Sequence, residues 1–158
     1  MHTTILGIGN NLLRDEGIGL HVLEALRASL PENDSLSFVD GGTLSFTLAS
    51  EIEAADRLVV LDAARLREAP GTVRCFIDAE MDAFLGSCKR TVHEVGLLDL
   101  FDIARLTGTL PRQRALVGIQ PASVEWGDEP TDAVAAAIPV AVEKTRELLQ
   151  SWEQGEAA

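Results

Sequence analysis

The chain has 158 residues, 46% of them hydrophobic and 24% charged, so we expect one domain over residues 1–158 with a core of its own. Its formal net charge of −12 argues against nucleic acids and anionic membrane surfaces as partners, because both bind clustered Lys and Arg. No apolar stretch approaches the roughly 20 residues that span a bilayer, and no signal-peptide pattern is present. We therefore expect a cytoplasmic protein.

In the first half of the chain, short apolar runs alternate with segments of helical periodicity. The helix after the second strand is predicted to run for about ten residues, with Thr43 as its N-cap. In chain order the predicted elements are a strand at Thr3–Ile8, a helix at Ile18–Leu30, a strand at Leu36–Val39, the capped helix, and a strand at Arg57–Leu61 that ends just before Asp62.

The second half continues the alternation and predicts an α/β domain. A final helix is expected to break at Pro139, because proline removes a hydrogen bond from a helix interior. The elements predicted here are a strand at Thr72–Ile77, a polar connection that reaches His93, a helical stripe at Leu97–Leu106, a strand at Ala115–Ile119, and a helix at Thr131–Trp152. We thus expect a five-stranded, mainly parallel sheet covered on both faces.

The first loop joins glycines to an acidic pair. Gly7 and Gly9 end the first strand, and Asp15 and Glu16 follow before the helix begins. A turn of this kind usually faces a phosphate, which carboxylates would repel. The third glycine of G-x-G-x-x-G is replaced by Leu12, and the sequence has no Walker lysine. The loop therefore favours a positive ligand such as a metal ion over a nucleotide.

Candidate ligands follow from topology, because ligand sites of such sheets lie outside the carboxyl ends of the strands. Glu16, Asp62 and His93 are all predicted at that edge, His93 through its loop. Two carboxylates and one imidazole suit a nickel or zinc ion and leave coordination positions open. Each residue also has a structural alternative. Asp62 could cap a helix or form a turn, Glu16 could complement the helix dipole, and His93 could face solvent.

The segment Asp40-Gly41-Gly42-Thr43 also has two compatible interpretations. It is typical of a tight turn that leads into a capped helix. Its glycines would also let a peptide backbone approach Asp40. The sequence contains neither the G-x-S-x-G serine motif nor the H-E-x-x-H zinc-protease motif.

These segments together resemble the nickel-iron hydrogenase maturation proteases over nearly the whole length, from Gly7 to about Val140. Each is modest alone, but five in register are specific. The matching segments are the run from Gly7 to Gly19, Asp40-Gly41-Gly42-Thr43, Leu61-Asp62-Ala63, Val92-His93-Glu94, and the run from Leu116 to Pro121.

The resemblance implies a three-layer αβα sandwich and an endopeptidase that removes the C-terminal extension of the hydrogenase large-subunit precursor after nickel insertion. It implies that Glu16, Asp62 and His93 contact nickel that belongs to the substrate. Asp40 is a candidate for assisting an attacking water or positioning the backbone, and we expect a monomer. One alternative is a non-proteolytic nickel-binding maturation chaperone with the same three ligands. A second is a nucleotide-binding oxidoreductase module, suggested only by Gly7-Ile8-Gly9.

Overall fold

A computed structural model describes residues 1–31, 33–43, 46–87 and 92–157. The side chains of residues 46, 92–95, 156 and 157 are outside this description. The strands are β1 (Thr3–Ile8), β2 (Leu36–Gly42), β3 (Arg57–Ala63), β4 (Val73–Ile77) and β5 (Gln113–Ile119). The α-helices are α1 (Ile18–Ser29), α2 (Ala49–Ala54), α3 (Ala79–Ser87), α4 (Val92–Leu106), α5 (Asp132–Ala135) and α6 (Ile138–Ala157). Short 3-10 turns at Arg14–Gly17 and Phe46–Leu48 precede α1 and α2.

The five strands form one sheet in the order β2-β1-β3-β5-β4. All neighbouring pairs are parallel except β4 and β5, which are antiparallel. This arrangement confirms the predicted mostly parallel sheet. Because the three strands β2, β1 and β3 run side by side in one direction, their carboxyl ends meet at one edge.

Helices cover both faces of the sheet, which confirms the three-layer architecture. Alternate residues of each strand point to opposite faces, so Ile5 and Val59 pack with α1 and α6. Leu6 and Val60 face the other way and pack with α2, α3 and α4. Strands β1 and β3 are central and buried on both faces of the sheet, so their sequences are nearly continuous apolar runs. In the described part of the chain, no helix is long and apolar enough to cross a membrane.

Several element boundaries differ from the predictions. Strand β3 continues through Asp62 to Ala63, because β5 extends far enough to pair with both residues. Strand β2 likewise includes Asp40. The prediction that Thr43 caps the next helix is wrong: Leu48 is the N-cap of α2, and this residue makes no side-chain cap hydrogen bond.

Two further differences lie between β4 and β5. The polar connection contains helix α3, whose only strong helical signal is the pair of buried residues Met81 and Leu85, four positions apart. Helix α4 begins at Val92, so His93 lies in its first turn and not in a loop as predicted.

Pro139 does mark a break, since α5 ends at Ala135 and α6 begins at Ile138.

Helix α1 lies unusually close to the sheet, and Gly19 makes this approach possible. A Cβ atom at Gly19 would stand 2.5 Å from the carbonyl oxygen of Ile8 and would overlap the carbonyl oxygen of Leu61. Both obstacles are backbone atoms of buried strands, so neither can move aside cheaply. The glycine therefore fixes the start of α1 against β1 and β3.

We predict that Gly19→Ala lowers the free energy of unfolding by about 1–3 kcal/mol, the usual cost of overpacking a core. Gly86→Ala in α3 is the matched control, because a Cβ atom there meets nothing within 4 Å. Alanine should stabilise that helix by about 0.5–1 kcal/mol. Urea unfolding measures the change in unfolding free energy of each variant, and the two changes should have opposite signs. Equal changes would contradict the close approach of α1 to the sheet.

Candidate active site

The carboxyl ends of three neighbouring strands form the floor of the candidate site. Gly7 of β1 stands in register with Asp40 of β2 on one side and with Leu61 of β3 on the other. Asp62 follows Leu61 directly. With roughly 4.8 Å between strands, the backbones of Asp40 and Asp62 lie roughly 10 Å apart across β1. The sheet thus brings these two sequence-predicted residues to the same edge.

Asp62 is almost completely buried, with 8% of its surface exposed. Strand alternation places it on the same face as Leu58 and Val60, which is the face covered by α2, α3 and α4. Its partner in β5 is Gly118, which has no side chain to compete for this space. Helix α4, which carries His93 in its first turn, packs on this same face.

Glu16 lies in the 3-10 turn Arg14–Gly17, which folds back over the sheet edge and contacts β3. Its backbone N–H donates to the carbonyl oxygen of Leu13 at 3.0 Å. Gly9 has a φ of 141° and lies directly against the Glu16 carbonyl group, where any Cβ atom would collide. The glycine turn of the sequence therefore serves to seat the Glu16 turn on the end of β1.

Asp40 has a clear structural role at the end of β2. Its Oδ1 atom accepts a hydrogen bond from the Gly42 N–H at 2.9 Å, and Gly42 adopts a left-handed φ of 50°. The Gly42 carbonyl oxygen in turn accepts from the Gly9 N–H at 2.8 Å. Strand alternation places Asp40 on the face shared with Phe38, opposite to that of Asp62. The tight-turn interpretation fits this geometry, and a chemical role for Asp40 stays a prediction.

His93 is the third sequence-predicted ligand, and its side chain lies outside the part of the chain that the structure describes. Among the described side chains, no group of three His, Cys, Asp or Glu residues could hold a metal ion. The complete set of Glu16, Asp62 and His93 therefore stays a prediction. The structure places Asp62 and the turn of Glu16 at the same end of the sheet, and it places His93 in the first turn of α4.

Asp15 has a role that the sequence analysis did not identify. It is completely buried, and it binds the distant loop between β5 and α5. The backbone N–H groups of Ala122 and Ser123 donate to its Oδ2 atom at 2.8 and 2.9 Å. The Thr131 backbone N–H donates to Oδ1 at 2.7 Å and the Thr131 hydroxyl group to Oδ2 at 2.8 Å. One carboxylate thus satisfies four donors.

Backbone hydrogen bonds join the same two loops. The Gly127 N–H donates to the carbonyl oxygen of Leu12 at 2.8 Å, and the Arg14 N–H donates to the carbonyl oxygen of Gly127 at 2.9 Å. Asp15 adds a third link through its own N–H, which donates to the Ser123 carbonyl oxygen at 3.1 Å. The loops at 10–17 and 120–131 therefore form one connected layer above the sheet edge.

The electrostatics of Asp15 follow from its surroundings. Burial alone would raise its pKa, but hydrogen bonds from the backbones of Ser123, Thr131 and Ala122 and from the Thr131 hydroxyl group hold the pKa below its ordinary value of 3.8. A lowered carboxylate pKa contributes stability that is complete above pH 3.8 and is lost as the pH falls through the folded-state value.

We predict that Asp15→Asn lowers the free energy of unfolding at pH 7 by about 3 kcal/mol, because hydrogen bonds to a charged acceptor are lost and buried donors are left poorly satisfied. Wild-type stability should fall as the pH drops below 3.8, and the variant should lack the part of this fall that comes from protonation of Asp15. Urea unfolding at several pH values measures both effects. Asp128→Asn, in the same loop but exposed, is the control and should change stability by less than about 0.5 kcal/mol. Equal stability of the two variants would contradict the role of Asp15.

Comparisons with known proteins show which protein family this chain resembles. Residues 20–147 match the HycI family, described as hydrogenase maturation protease. The Hydrogenase 2 maturation protease of Escherichia coli is 35% identical over 151 residues, which cover 95% of this chain and 92% of that protein. The hydrogenase expression/formation protein HupD of Rhizobium leguminosarum is 36% identical over 149 residues, covering 94% of this chain and 74% of HupD.

Solved structures agree with the sequence relatives. The hydrogenase maturating endopeptidase HybD from E. coli superimposes with a TM-score of 0.90 at 35% identity, covering 96% of this chain and 93% of HybD. The [NiFe] hydrogenase maturation protease HybD from Thermococcus kodakarensis gives a TM-score of 0.79 at 29% identity, covering 94% and 99% of the two chains. This chain therefore belongs to the hydrogenase maturation protease family and is an endopeptidase with a role in hydrogenase maturation.

Proposed function

We propose that this endopeptidase removes the C-terminal extension of a nickel-iron hydrogenase large-subunit precursor after nickel insertion. In this proposal Glu16, Asp62 and His93 contact nickel that the precursor carries. The supporting observations are that buried Asp62 and the turn of Glu16 lie at the same sheet edge, and that α4, whose first turn contains His93, packs on the face of Asp62. Family membership supports the reaction class.

The chemistry of the donors fits a recognition role. Carboxylate oxygens and an imidazole nitrogen are ligands that a borderline divalent ion accepts. Contact with three protein groups would hold the nickel-bearing segment in one position and orientation, which lowers the barrier to cleavage of a nearby peptide bond. A precursor without nickel would lack this anchor. The enzyme would thereby cut only the loaded precursor.

We propose water as the nucleophile of peptide hydrolysis in this site, since neither a serine-nucleophile motif nor an activating pattern beside a cysteine is evident in the sequence. The water oxygen forms a bond to the scissile carbonyl carbon, the C–N bond breaks, and the leaving nitrogen gains a proton. Asp40 is the carboxylate we propose to accept the proton of the attacking water or to position the substrate backbone. It stands on the other side of β1 from Asp62, at the same edge.

The net charge of −12 is consistent with a basic or metal-loaded polypeptide as the partner. The alternatives lack a supporting observation. A chaperone without proteolytic activity does not fit a family of proteases. The nucleotide-binding alternative relied on the glycines of the first loop, and Gly9 instead packs against the Glu16 carbonyl group. We propose that the chain acts as a monomer.

The proposal predicts that nickel-loaded precursor is shortened and nickel-free precursor is not. Glu16→Gln, Asp62→Asn and His93→Ala should each reduce the cleavage rate by at least about 100-fold, because each removes a predicted nickel contact. Mass spectrometry of the large subunit measures the loss of the extension. Asp34→Asn is the control: it removes an exposed carboxylate just before β2, at the opposite edge of the sheet, and should cut at the wild-type rate.

Two results would count against the proposal. Normal cleavage by all three variants would remove the assigned residues from the site. One zinc or nickel ion held tightly by the isolated enzyme would contradict the idea that the metal arrives with the substrate.

A further inference from the structure

Three large apolar side chains are exposed on the two connected loops beside the candidate site. Leu12 is 55% exposed, Val124 is 52% exposed and Trp126 is 78% exposed. The backbones of Leu12 and Trp126 are neighbours, because Gly127, which follows Trp126, donates its N–H to the Leu12 carbonyl oxygen at 2.8 Å. We call Leu12, Val124 and Trp126 the loop patch. Leu12 lies in the same loop as Glu16, so the patch borders the predicted nickel contacts.

The loop patch stands on an ordered base. Asp15 binds Ala122 and Ser123 on one side of Val124 and Trp126, and Thr131 on the other side. The segment that carries the two exposed side chains is thus fixed at both ends. Fixing a loop in advance reduces the entropy that binding must overcome. Exposed apolar side chains on adjoining loops are typical of interaction surfaces.

The charges around the loop patch indicate the chemistry of its partner. Every charged residue between 120 and 132 is acidic, namely Glu125, Asp128, Glu129 and Asp132. A cleft of about 410 Å³ lies between Arg14 and the segment from Gly127 to Asp132, which directly follows Trp126 in the chain. Arg14 is the single cation that lines it, against three carboxylates. An apolar segment that carries Lys or Arg would match this surface.

We infer that the loop patch is a docking surface for the hydrogenase large-subunit precursor, which binds there through an apolar segment flanked by basic residues. The identity of this partner rests on the proposed function. Trp126 is the central contact, since tryptophan is among the residues that contribute most to protein interfaces. Docking at the loop patch places the bound chain next to Glu16 without contributing to the cleavage step itself.

The test compares Trp126→Ala with Leu106→Ala, which removes another exposed apolar side chain, at the end of α4, and is 88% exposed. Nickel-loaded precursor is immobilised, and its Kd for each enzyme variant is measured together with KM and kcat for cleavage. Trp126→Ala should raise Kd and KM about 30-fold and leave kcat unchanged. Leu106→Ala should match the wild type in all three values.

A second variant tests the charge complementarity. Asp128→Lys should also raise Kd for the precursor and should weaken the dependence of binding on salt, because one attractive contact becomes repulsive. Both Trp126 and Asp128 are exposed, so the thermal unfolding midpoint of each variant should equal that of the wild type.

The outcomes separate the docking surface from the proposed function. An unchanged Kd for Trp126→Ala, or a fall in kcat at constant KM, would overturn the docking surface and leave the nickel-dependent cleavage standing. Wild-type enzyme that binds the precursor without cutting it would overturn the proposed function, and the Kd comparison would still decide on the loop patch. Wild-type enzyme that neither binds nor cuts would overturn both.

Discussion

The buried carboxylate of Asp15 is the interaction on which the arrangement at the sheet edge depends. It accepts hydrogen bonds from Ala122, Ser123 and Thr131, so it connects the loop after β1 to the loop after β5. Glu16 is its direct neighbour and Trp126 lies between its partners. Its hydrogen-bond donors hold the pKa of this carboxyl group below its ordinary value, so it stays ionised. This single group thereby positions both the predicted nickel contact and the proposed docking surface. Glu16 and Asp15, adjacent in sequence, serve recognition and structure respectively in this account.

The sequence predicted the buried central strand β1 well, and it predicted helix α3 and the end of strand β3 less well. Strand β1 was predicted at its observed bounds because its residues are buried on both faces and form an uninterrupted apolar run. Helix α3 was missed because its apolar face, formed by buried Met81 and Leu85 and half-buried Phe84, is too short a pattern to distinguish from a loop. Strand β3 was predicted to end before Asp62, and pairing with Gly118 carries it further. Such extensions depend on the neighbouring strand and not on local sequence.

For the candidate site, the sequence could predict which residues reach the sheet edge but not what holds them there. Asp40 and Asp62 lie at the carboxyl edge that the parallel strands share, as expected, but inside β2 and β3 and not beyond their ends. The role of Asp15 was not predictable from spacing, since its partners are 107 to 116 positions away and include the backbone N–H of Ala122, which has no polar side chain. The glycines of the first loop raised a nucleotide-binding alternative that the acidic pair disfavoured, and the structure shows Gly9 packed against the Glu16 carbonyl group.

Amide hydrogen exchange can test whether Asp15 holds the loop from Gln120 to Thr131 on the first loop. In the wild type at pH 7, the N–H groups of Ala122, Ser123 and Thr131 should exchange slowly, because each donates to the buried carboxylate. In Asp15→Asn their exchange should accelerate by a larger factor than that of Val59 in the central strand. Equal acceleration at all four positions, or none at the three donors, would contradict the account.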